Sequence, residues 1–320
     1  MRSRQLLLAV LVTIFAILGS AVLVHAQDQI TVGFAQTGSE SGWRTAFTEA
    51  MIAEAESQNI NLIFSDGQQK QENQIAALRS FIAQGVDAII LAPLVETGWD
   101  EVFQEAQDAG IPVFIIDRNV TADPSLYVTR IASDFVYEGR LAAAWLATAT
   151  ANREQCNIVE LYGTVGSSAA IDRATGFAET IALFPNLELV ASQSGDFTRT
   201  GGKEVMESFL NSLDPASICA VFGHNDDMLI GAIEAMKEAG IDPADDILTV
   251  SVDAIDDIFV SMMNGDANAT VLLSPNMGVQ AYAAIRSYLA GETLPALIPV
   301  PSAMYFQDTA AEEYAARTGG

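Results

Sequence analysis

The chain has 320 residues, which is enough for two lobes of ordinary size. It carries 41 acidic against 15 basic residues, and a surface this acidic repels nucleic acid and anionic lipid. Half of the residues are hydrophobic, so the chain is predicted to be globular rather than disordered.

Residues 1–26 have the pattern of a secretory signal peptide. Arg2 and Arg4 precede an uncharged run over 6–24, and residues 24–26 form a small-x-small cleavage site. The alternative is an uncleaved membrane anchor, because about 19 uncharged residues can just span a bilayer. We predict cleavage and a periplasmic or other extracytoplasmic location. The mature chain then holds 13 basic and 41 acidic residues, since the leader contains two arginines and no acids.

The mature chain contains a single histidine, His224, because His25 lies in the leader. A zinc cluster of histidines and cysteines cannot be built, and a Ser-His-Asp set is possible only around His224. Neither G-x-x-x-x-G-K-[ST] nor G-x-G-x-x-G occurs, so no phosphate cradle is predicted. We expect no cofactor and no metal.

The first part of the mature chain alternates apolar strands with helices. Strands that are apolar throughout indicate a parallel sheet covered on both faces. Strands are predicted over 30–35, 61–66, 86–92 and 112–116, with helices over 43–57, 69–84 and 98–109. Residues 127–131 are either a fifth strand or the first connection to the next unit.

The pattern then restarts with a long helix over 134–150. Further strands are predicted over 157–162, 187–192, 220–223, 247–252, 269–273 and 302–306. The helices among them are predicted over 169–183, 200–213, 228–239, 255–264 and 278–290. The chain is thus an α/β protein with two units in tandem, and no flexible linker separates them. Candidate connections lie near 130–133, 254–276 and 291–299.

The two cysteines, Cys156 and Cys219, each precede an apolar strand. If these are the first and third strands of one sheet, a 2-1-3 order makes them neighbours at a spacing that suits a disulfide. In an exported protein we expect the bond to form, at the amino ends of the strands. The alternative is a pair of buried free thiols.

Polar side chains follow the predicted strands within about ten residues. Because carboxyl ends of parallel strands face the ligand crevice of open α/β folds, two facing lobes would bring these groups together. The set is Glu40, Ser41, Arg44, Asp117, Arg118, Arg173, Asn225 and Asp253. Paired carboxylates and guanidinium groups suit vicinal hydroxyls, and Trp43 and Phe197 can pack flat on a sugar ring. The pattern indicates an uncharged, polyhydroxylated small molecule as ligand.

Each of these residues also has a purely structural interpretation. Asp117 and Asp253 could cap the helices that follow them, and capping is the favoured role of Asp226 and Asp227. Arg173 could form a surface ion pair. Trp43 could belong to the core, and His224 is read as a crevice wall or a core residue.

Hydrolysis of a glycoside would need a carboxyl group that is protonated at neutral pH. The acids here accompany arginines, as in Asp117-Arg118, and nearby positive charge keeps a carboxylate ionised. We therefore predict that the protein is not an enzyme.

Several segments resemble type I periplasmic solute-binding proteins of ABC sugar importers, in the ribose/galactose group. They are 84–93, 112–118 and Asn225-Asp226-Asp227-Met228 followed by Gly231-Ala232. Four further blocks resemble the galactofuranose binders of that group. These blocks are 38–44, 66–74, 170–173 and 192–199, and the likeness covers essentially the whole mature chain.

The resemblance implies two doubly wound parallel-sheet lobes joined by a three-segment hinge, which close on one monosaccharide, with galactofuranose favoured. It places 27–131 and 276–296 in the N-terminal lobe, and 132–275 and 297–320 in the C-terminal lobe. It also implies a membrane permease and its ATPase as partners of a monomer. The positions that match the family's sugar contacts are Glu40, Ser41, Gly42, Trp43, Arg44, Asp117, Arg118, Arg173, Asn225, Asp253, Phe197 and Asn276. Ala254 departs from the glycine that relatives usually carry.

Three other functions are alternatives to the import of this sugar. Another pentose or hexose could be the ligand, because these binders share the scaffold. A sugar sensor that feeds a chemoreceptor or sensor kinase cannot be separated from an import protein by sequence. The effector domain of a transcription regulator would need a basic helix-turn-helix where this chain has its hydrophobic leader.

Overall fold

The computed structural model describes residues 29–319. The predicted signal peptide, 1–26, lies outside the described residues. Between residues 29 and 319, no helix is both long enough and apolar enough to cross a membrane.

The first sheet contains six parallel strands. They are β1 (Thr31–Gln36), β2 (Asn61–Asp66), β3 (Ala88–Leu91), β4 (Val113–Ile116), β5 (Thr129–Ala132) and β11 (Leu297–Pro299), in the spatial order β11-β5-β4-β3-β1-β2. The helices of this half are α1 (Gly42–Ser57), α2 (Gln71–Gln84), α3 (Asp100–Asp108) and α9 (Gly278–Leu289). Phe81, Trp99 and Phe103 form part of its buried core. We call this sheet with its helices the first lobe.

The second lobe is built around another six-stranded sheet. Its strands are β6 (Cys156–Tyr162), β7 (Leu187–Ser194), β8 (Ile218–Gly223), β9 (Leu248–Asp253), β10 (Ala269–Leu272) and β12 (Met304–Phe306), in the order β12-β10-β9-β8-β6-β7. All neighbours are parallel except β12, which runs antiparallel to β10. Its helices are α4 (Phe135–Ala149), α5 (Ser168–Ile181), α6 (Arg199–Ser212), α7 (Asp226–Glu238), α8 (Asp256–Met263) and α10 (Ala310–Thr318). Three single turns of 3-10 helix lie at Pro124–Leu126, Pro215–Ser217 and Gln307–Thr309.

The chain crosses between the two sheets three times. The crossings are 133–134, between β5 and α4; 273–277, between β10 and α9; and 300–303, between β11 and β12. The predicted fold class is confirmed, and 127–131 overlaps a true strand, β5, rather than only a connection. The predicted lobe boundary at 297 differs from the strand pairing, because Leu297–Pro299 pairs with β5 of the first sheet. This strand contains Pro299 and has no fully buried residue, so the sequence carries no strand pattern there.

Cys156 and Cys219 form the predicted disulfide, with their Cα atoms 5.0 Å apart. Strands β6 and β8 are neighbours, so the 2-1-3 order assumed from the sequence holds for β7-β6-β8. Each cysteine lies at the amino end of its strand, so the bond is at the opposite end of the sheet from the loops that follow the strands.

Helices α4 and α5 approach each other closely through two glycines. A Cβ atom on Gly139 would overlap the carbonyl oxygen of Arg173, and one on Gly176 would overlap that of Val136. The backbones can therefore pack without intervening side chains, which brings polar groups of the two helices within direct reach.

Candidate functional site

A chamber lies between the two lobes, where the carboxyl ends of both sheets face each other. It is lined by Glu40, Ser41, Trp43, Arg44, Asp117, Arg118, Ala169, Arg173, Phe197, Asn225, Asp253 and Leu273. The cavity volume of the chamber is about 20 Å³, which leaves room for about one water molecule, so the side chains of the two lobes nearly meet.

The structure brings together most of the residues that the sequence singled out. Of the predicted sugar positions, only Gly42 and Asn276 do not line the chamber: Gly42 lies beside it, and Asn276 is exposed. Ala169 and Leu273 line it without having been predicted. The role of each lining residue as a sugar contact remains a prediction.

Arg44 is the centre of the charged groups that the first lobe contributes. Its Nη1 lies 2.8 Å from Asp117 Oδ2, and its Nε donates to Glu40 Oε1 at 3.2 Å. Nη1 also donates to Gln36 Oε1 at 3.2 Å. The hydroxyl of Ser41 caps α1 by accepting from the Arg44 N–H. The cap and the buried partners fix the position of the guanidinium group.

Arg118 extends this network towards the second lobe. Its Nη2 lies 3.8 Å from Glu40 Oε1, and its Nη1 donates to the Leu94 carbonyl at 2.9 Å. The guanidinium carbon is 5.2 Å from the ring centre of Phe197, a cation-π distance across the chamber. Arg118 therefore has one edge held by the first lobe and its face covered by the second.

Arg173 is the principal charged group of the second lobe. Its Nη1 donates to the His224 carbonyl at 2.6 Å, and its Nε donates to Glu138 Oε2 at 2.9 Å. Its Nη2 lies 3.8 Å from Asp253 Oδ1. The predicted alternative, a surface ion pair, is wrong, because Arg173 is 2% exposed and its partner Glu138 is fully buried.

Asn225 holds the loop that follows β8. Its Oδ1 accepts from the Met228 N–H and caps α7, and its Nδ2 donates to the Phe197 carbonyl, both at 3.0 Å. The prediction that Asp226 and Asp227 cap this helix is wrong, because Asn225 occupies the cap position. The carboxylate of Asp226 accepts from Ser251, Thr270 and the Ile255 N–H, and that of Asp227 accepts from the Gly42 N–H and Arg199.

Burial and neighbouring charge set the protonation of the chamber. Burial alone would raise the pKa of Glu40, but the positive charges of Arg44 and Arg118 hold it below its usual value. Burial and the positive charge of Arg44 lower the pKa of Arg118 to about 10, so it stays charged at neutral pH. Burial raises the pKa of Asp253, and Arg173 offsets part of that rise.

Several chamber residues have backbone angles that side chains rarely adopt. The φ angle is 65° at Asp117, 61° at Phe197 and 120° at Asp253. Ala254, where relatives carry glycine by resemblance, has a φ of 59°. Such strain is concentrated at functional sites in folded proteins, where the surrounding structure compensates for it.

Buried polar atoms without a hydrogen-bond partner are concentrated in the chamber. In residues 29–319, five buried side-chain atoms accept or donate no aligned bond, and four belong to chamber residues. These are Glu40 Oε2, Asp117 Oδ2, Arg118 Nε and Arg173 Nη2; the fifth is Gln280 Oε1. Asp117 Oδ2 and Arg173 Nη2 still lie in ion pairs, 2.8 Å from Arg44 Nη1 and 2.9 Å from Glu138 Oε2. A buried atom without any partner, such as Glu40 Oε2, costs about 1–3 kcal/mol. A ligand that offers hydroxyl groups would satisfy both the acceptors and the donors.

Trp43 is a buried residue, at 3% exposed, as the core alternative predicted, and it also lines the chamber. Its indole N–H donates to the Leu273 carbonyl at 2.6 Å, and its ring stacks on Phe47. The indole thus joins the first lobe to the second crossing.

His224 is a core residue that takes no part in a nucleophilic set. Its Nδ1 accepts from the Gly163 N–H, so its Nε2 carries the proton and donates to Glu160 Oε1 at 3.0 Å. Burial lowers the pKa of His224, which favours the neutral ring. Among the described residues, no group of three or more His, Cys, Asp or Glu side chains is arranged to hold a metal ion.

The fold and the chamber are those of a two-lobed binding protein, and the sequence profile of the periplasmic binding protein domain matches residues 32–293. The chain belongs to this family. It is 54% identical over 287 residues to the galactofuranose-binding protein YtfQ of Escherichia coli (strain K12), covering 89% of this chain and 90% of that protein.

Two solved structures of similar proteins contain sugars. The binding component of the arabinose ABC transporter of Shewanella sp. ANA-3, bound to alpha- and beta-L-arabinofuranose, shares 56% identity with a TM-score of 0.88, covering 90% of this chain and 96% of that one. A protein of Mycobacterium smegmatis in complex with beta-D-fucofuranose shares 48% identity with a TM-score of 0.88, covering 91% and 95%. The family predicted from sequence motifs is confirmed.

Proposed function

We propose that this protein is an extracytoplasmic receptor that encloses one monosaccharide between its lobes and delivers it to an ABC transporter permease. The observation that carries the proposal is the set of buried polar atoms in the chamber that lack an aligned hydrogen bond, on Glu40, Asp117, Arg118 and Arg173. Two are acceptors on carboxylates and two are donors on guanidinium groups. A sugar hydroxyl donates and accepts at once, so one ligand class serves all four.

The ligand favoured here is a sugar in its five-membered ring form, with galactofuranose first. The three similar proteins named above are described with galactofuranose, arabinofuranose and fucofuranose. Their substituents differ, whereas the furanose ring is common to all three. The chamber is small and enclosed by side chains of both lobes, so it suits a single monosaccharide better than an oligosaccharide.

The sugar is bound without being cleaved in this proposal. Glu40 stays ionised because of its arginine neighbours, and the histidine of the described chain is neutral and bonded within the core. Asp253 is the chamber carboxyl whose pKa burial raises, so it is the group to watch in an assay for glycoside turnover.

The remaining parts of the proposal follow from the family. The leader is removed on export, and the mature chain acts as a monomer. The three crossings, 133–134, 273–277 and 300–303, are the boundaries between the lobes, and the lobes open and close about these segments. A transporter permease and its ATPase accept the sugar from the closed form.

Isothermal titration of the mature protein against a sugar panel tests this proposal. The panel contains D-galactose, L-arabinose, D-fucose, D-ribose, D-glucose and myo-inositol. We expect saturable heat with galactose, arabinose or fucose, and little or none with glucose and inositol. Absence of heat with every member, or turnover of a glycoside, would contradict the proposal.

A further inference from the structure

We propose that Glu138 is a positioning residue for sugar binding, which holds Arg173 towards the chamber and couples that arginine to two of the three crossings between the lobes. The inference rests on the proposed function, because it concerns how the same chamber is organised. Glu138 itself does not line the chamber.

Glu138 holds Arg173 from the side away from the chamber. It lies on α4, is fully buried, and its Oε2 is 2.9 Å from both the Nε and the Nη2 of Arg173. The third nitrogen, Nη1, is occupied by the His224 carbonyl. The guanidinium group therefore cannot rotate without losing a buried partner, and Nη2 remains the nitrogen without an aligned hydrogen bond.

The other oxygen of the same carboxylate faces the crossings. Ser302, on the third crossing, donates to Glu138 Oε1 at 3.4 Å. Its hydroxyl lies 2.7 Å from that of Ser133, on the first crossing, and Ser133 is the donor in this contact because Ser302 gives its one proton to Glu138. The two serines thus join separate crossings to one carboxylate, and that carboxylate holds a chamber arginine.

Stability alone gives no reason for this arrangement. Burial raises the pKa of Glu138 even though Arg173 opposes that rise, so the fold carries a desolvation cost at this position. A buried ion pair is weak support for stability, because apolar residues of similar volume often serve as well or better. We infer that the pair serves to orient Arg173. Glu138 Oε2 fixes the guanidinium group that donates to the ligand, and Glu138 Oε1 contacts the crossings, whose geometry changes when the lobes rotate.

The arrangement couples occupancy of the chamber to closure. Rotation of the lobes about the crossings would move Ser133 and Ser302 relative to α4, and would disturb the bonds to Glu138 Oε1. The Glu138 carboxylate would then be held less firmly, and Arg173 would be oriented less precisely towards the chamber. Sugar bound to Arg173 Nη2 and Ser302 bound to Glu138 Oε1 therefore favour the same closed arrangement.

A double-mutant cycle measured by calorimetry with the tightest-binding sugar tests the positioning role. Glu138→Gln should weaken binding at least about 30-fold, since truncating one partner of a buried charged pair has an effect of this order. Arg173→Lys should weaken binding as well. The affinity of the double variant should be no lower than that of the single variant with the lower affinity. Additive losses would overturn the proposal, because they would mean that Glu138 does not act through Arg173.

The matched control is Glu179→Gln. Glu179 pairs with Arg140 at 2.9 Å, and this pair also joins α5 to α4, but both side chains are more than half exposed. Its affinity should stay within about twofold of wild type. A Glu138→Gln protein that melts earlier but binds as tightly as wild type would show a purely structural role and overturn the proposal.

Ser302→Ala tests the coupling to the crossings and leaves the Glu138–Arg173 pair in place. We expect a weaker affinity together with a smaller decrease of the radius of gyration on sugar addition, measured by X-ray scattering. Unchanged values of both would overturn the coupling, including in the case where Glu138→Gln fails to fold. A wild-type protein that binds no sugar would instead contradict the proposed function.

Discussion

Arg44 organises the acceptors of the chamber at the scale of a single residue. It holds Asp117 at 2.8 Å and Glu40 at 3.2 Å from two different nitrogens of one rigid group. Glu40 keeps its other oxygen, Oε2, without a hydrogen-bond partner, whereas Asp117 Oδ2 is the oxygen that Arg44 holds, without an aligned hydrogen bond. The planar fork therefore presents two acceptors at a fixed spacing, as recognition of adjacent hydroxyls requires.

Arg44→Lys should weaken sugar binding by about 2–5 kcal/mol, which is roughly 30-fold or more. A lysine keeps the charge but is a point donor, so it cannot hold both carboxylates in the same geometry. Titration calorimetry measures the effect. Arg79→Lys is the matched control, because Arg79 also bridges two acids, Glu101 and Glu105, but is about half exposed. If the Arg44 variant, the Arg79 variant and wild type bound the sugar with equal affinity, this role of Arg44 would be contradicted.

Asp226 makes the stability of the second lobe depend on pH. Its carboxyl accepts from Ser251 Oγ at 2.5 Å, Thr270 Oγ1 at 2.8 Å and the Ile255 N–H at 2.8 Å. Complete burial raises its pKa to about 7. In the unfolded chain the same carboxyl titrates near pH ~4. Between these values the folded state binds more protons, so the free energy of unfolding falls as the pH rises.

Asp226→Asn should remove this contribution. We expect the melting temperature of wild type, relative to the variant, to fall by several degrees between about pH 4 and pH 7 and to change little above that range. Thermal unfolding followed by circular dichroism at a series of pH values measures it. Parallel curves for the two proteins over the whole range would show that Asp226 titrates normally.

At the scale of helices and loops, the start of α1 is joined directly to α7 of the other lobe. The Gly42 N–H donates to Asp227 Oδ2 at 2.7 Å. Arg199 holds the other oxygen, Asp227 Oδ1, at 2.9 Å from Nη2 and 3.1 Å from Nε. The bond uses an amide at a helix start, which has no partner within its own helix. It therefore stabilises the closed arrangement of the lobes.

Asp227→Asn should weaken sugar binding several-fold, mainly through faster release, because a neutral amide oxygen accepts less strongly from the Gly42 N–H. Stopped-flow fluorescence of sugar release measures the rate. Asp257→Asn is the control: Asp257 also pairs with Arg199, at 2.8 Å, but does not contact Gly42. Faster release from the Asp257 variant than from the Asp227 variant would contradict the assigned role of this bond.

The sequence predicted elements well where burial produces a period, and poorly where it does not. Strands such as Asn61–Asp66 agree with the prediction in both bounds. Helix α10 was missed because Ala310 is its single buried residue, so no apolar stripe marks it. Strand β11 was missed because it contains Pro299 and none of its three residues is fully buried.

The chamber was predictable for a topological reason, since carboxyl ends of parallel strands must meet. Asp117 follows β4 directly, Asn225 lies two residues after β8 and Asp253 is the last residue of β9, and all three line the chamber. Glu138 was missed because its position depends on how α4 packs on α5. A signal was nevertheless present: Glu138 lies on the same buried stripe of α4 as Phe135 and Ala142, and a buried acid on such a stripe needs a partner.

At the scale of the whole molecule, the disulfide and the chamber lie at opposite ends of the second sheet. Cys156 and Cys219 begin β6 and β8, whereas chamber residues follow the carboxyl ends of the strands. The bond closes a loop with a sequence separation of 63 residues. Its contribution to stability should therefore be separable from sugar binding.

Replacing both cysteines by alanine should lower the free energy of unfolding by about 2–4 kcal/mol, because the unfolded chain gains freedom. Denaturant titration measures this loss. Sugar affinity at 25 °C should stay within about twofold of wild type, since the lost bond touches no chamber residue. A loss of affinity as large as that of the Arg44 variant would contradict this separation.

A crystal structure with galactose, arabinose or fucose bound is the most direct measurement of the central claim. The prediction is one sugar in its five-membered ring form, with its hydroxyl groups in hydrogen-bond contact with Glu40 Oε2, Arg118 Nε and Arg173 Nη2, the atoms that lack an aligned hydrogen bond here. A sugar bound outside the space between the sheets, or one that leaves these three atoms without partners, would contradict the account.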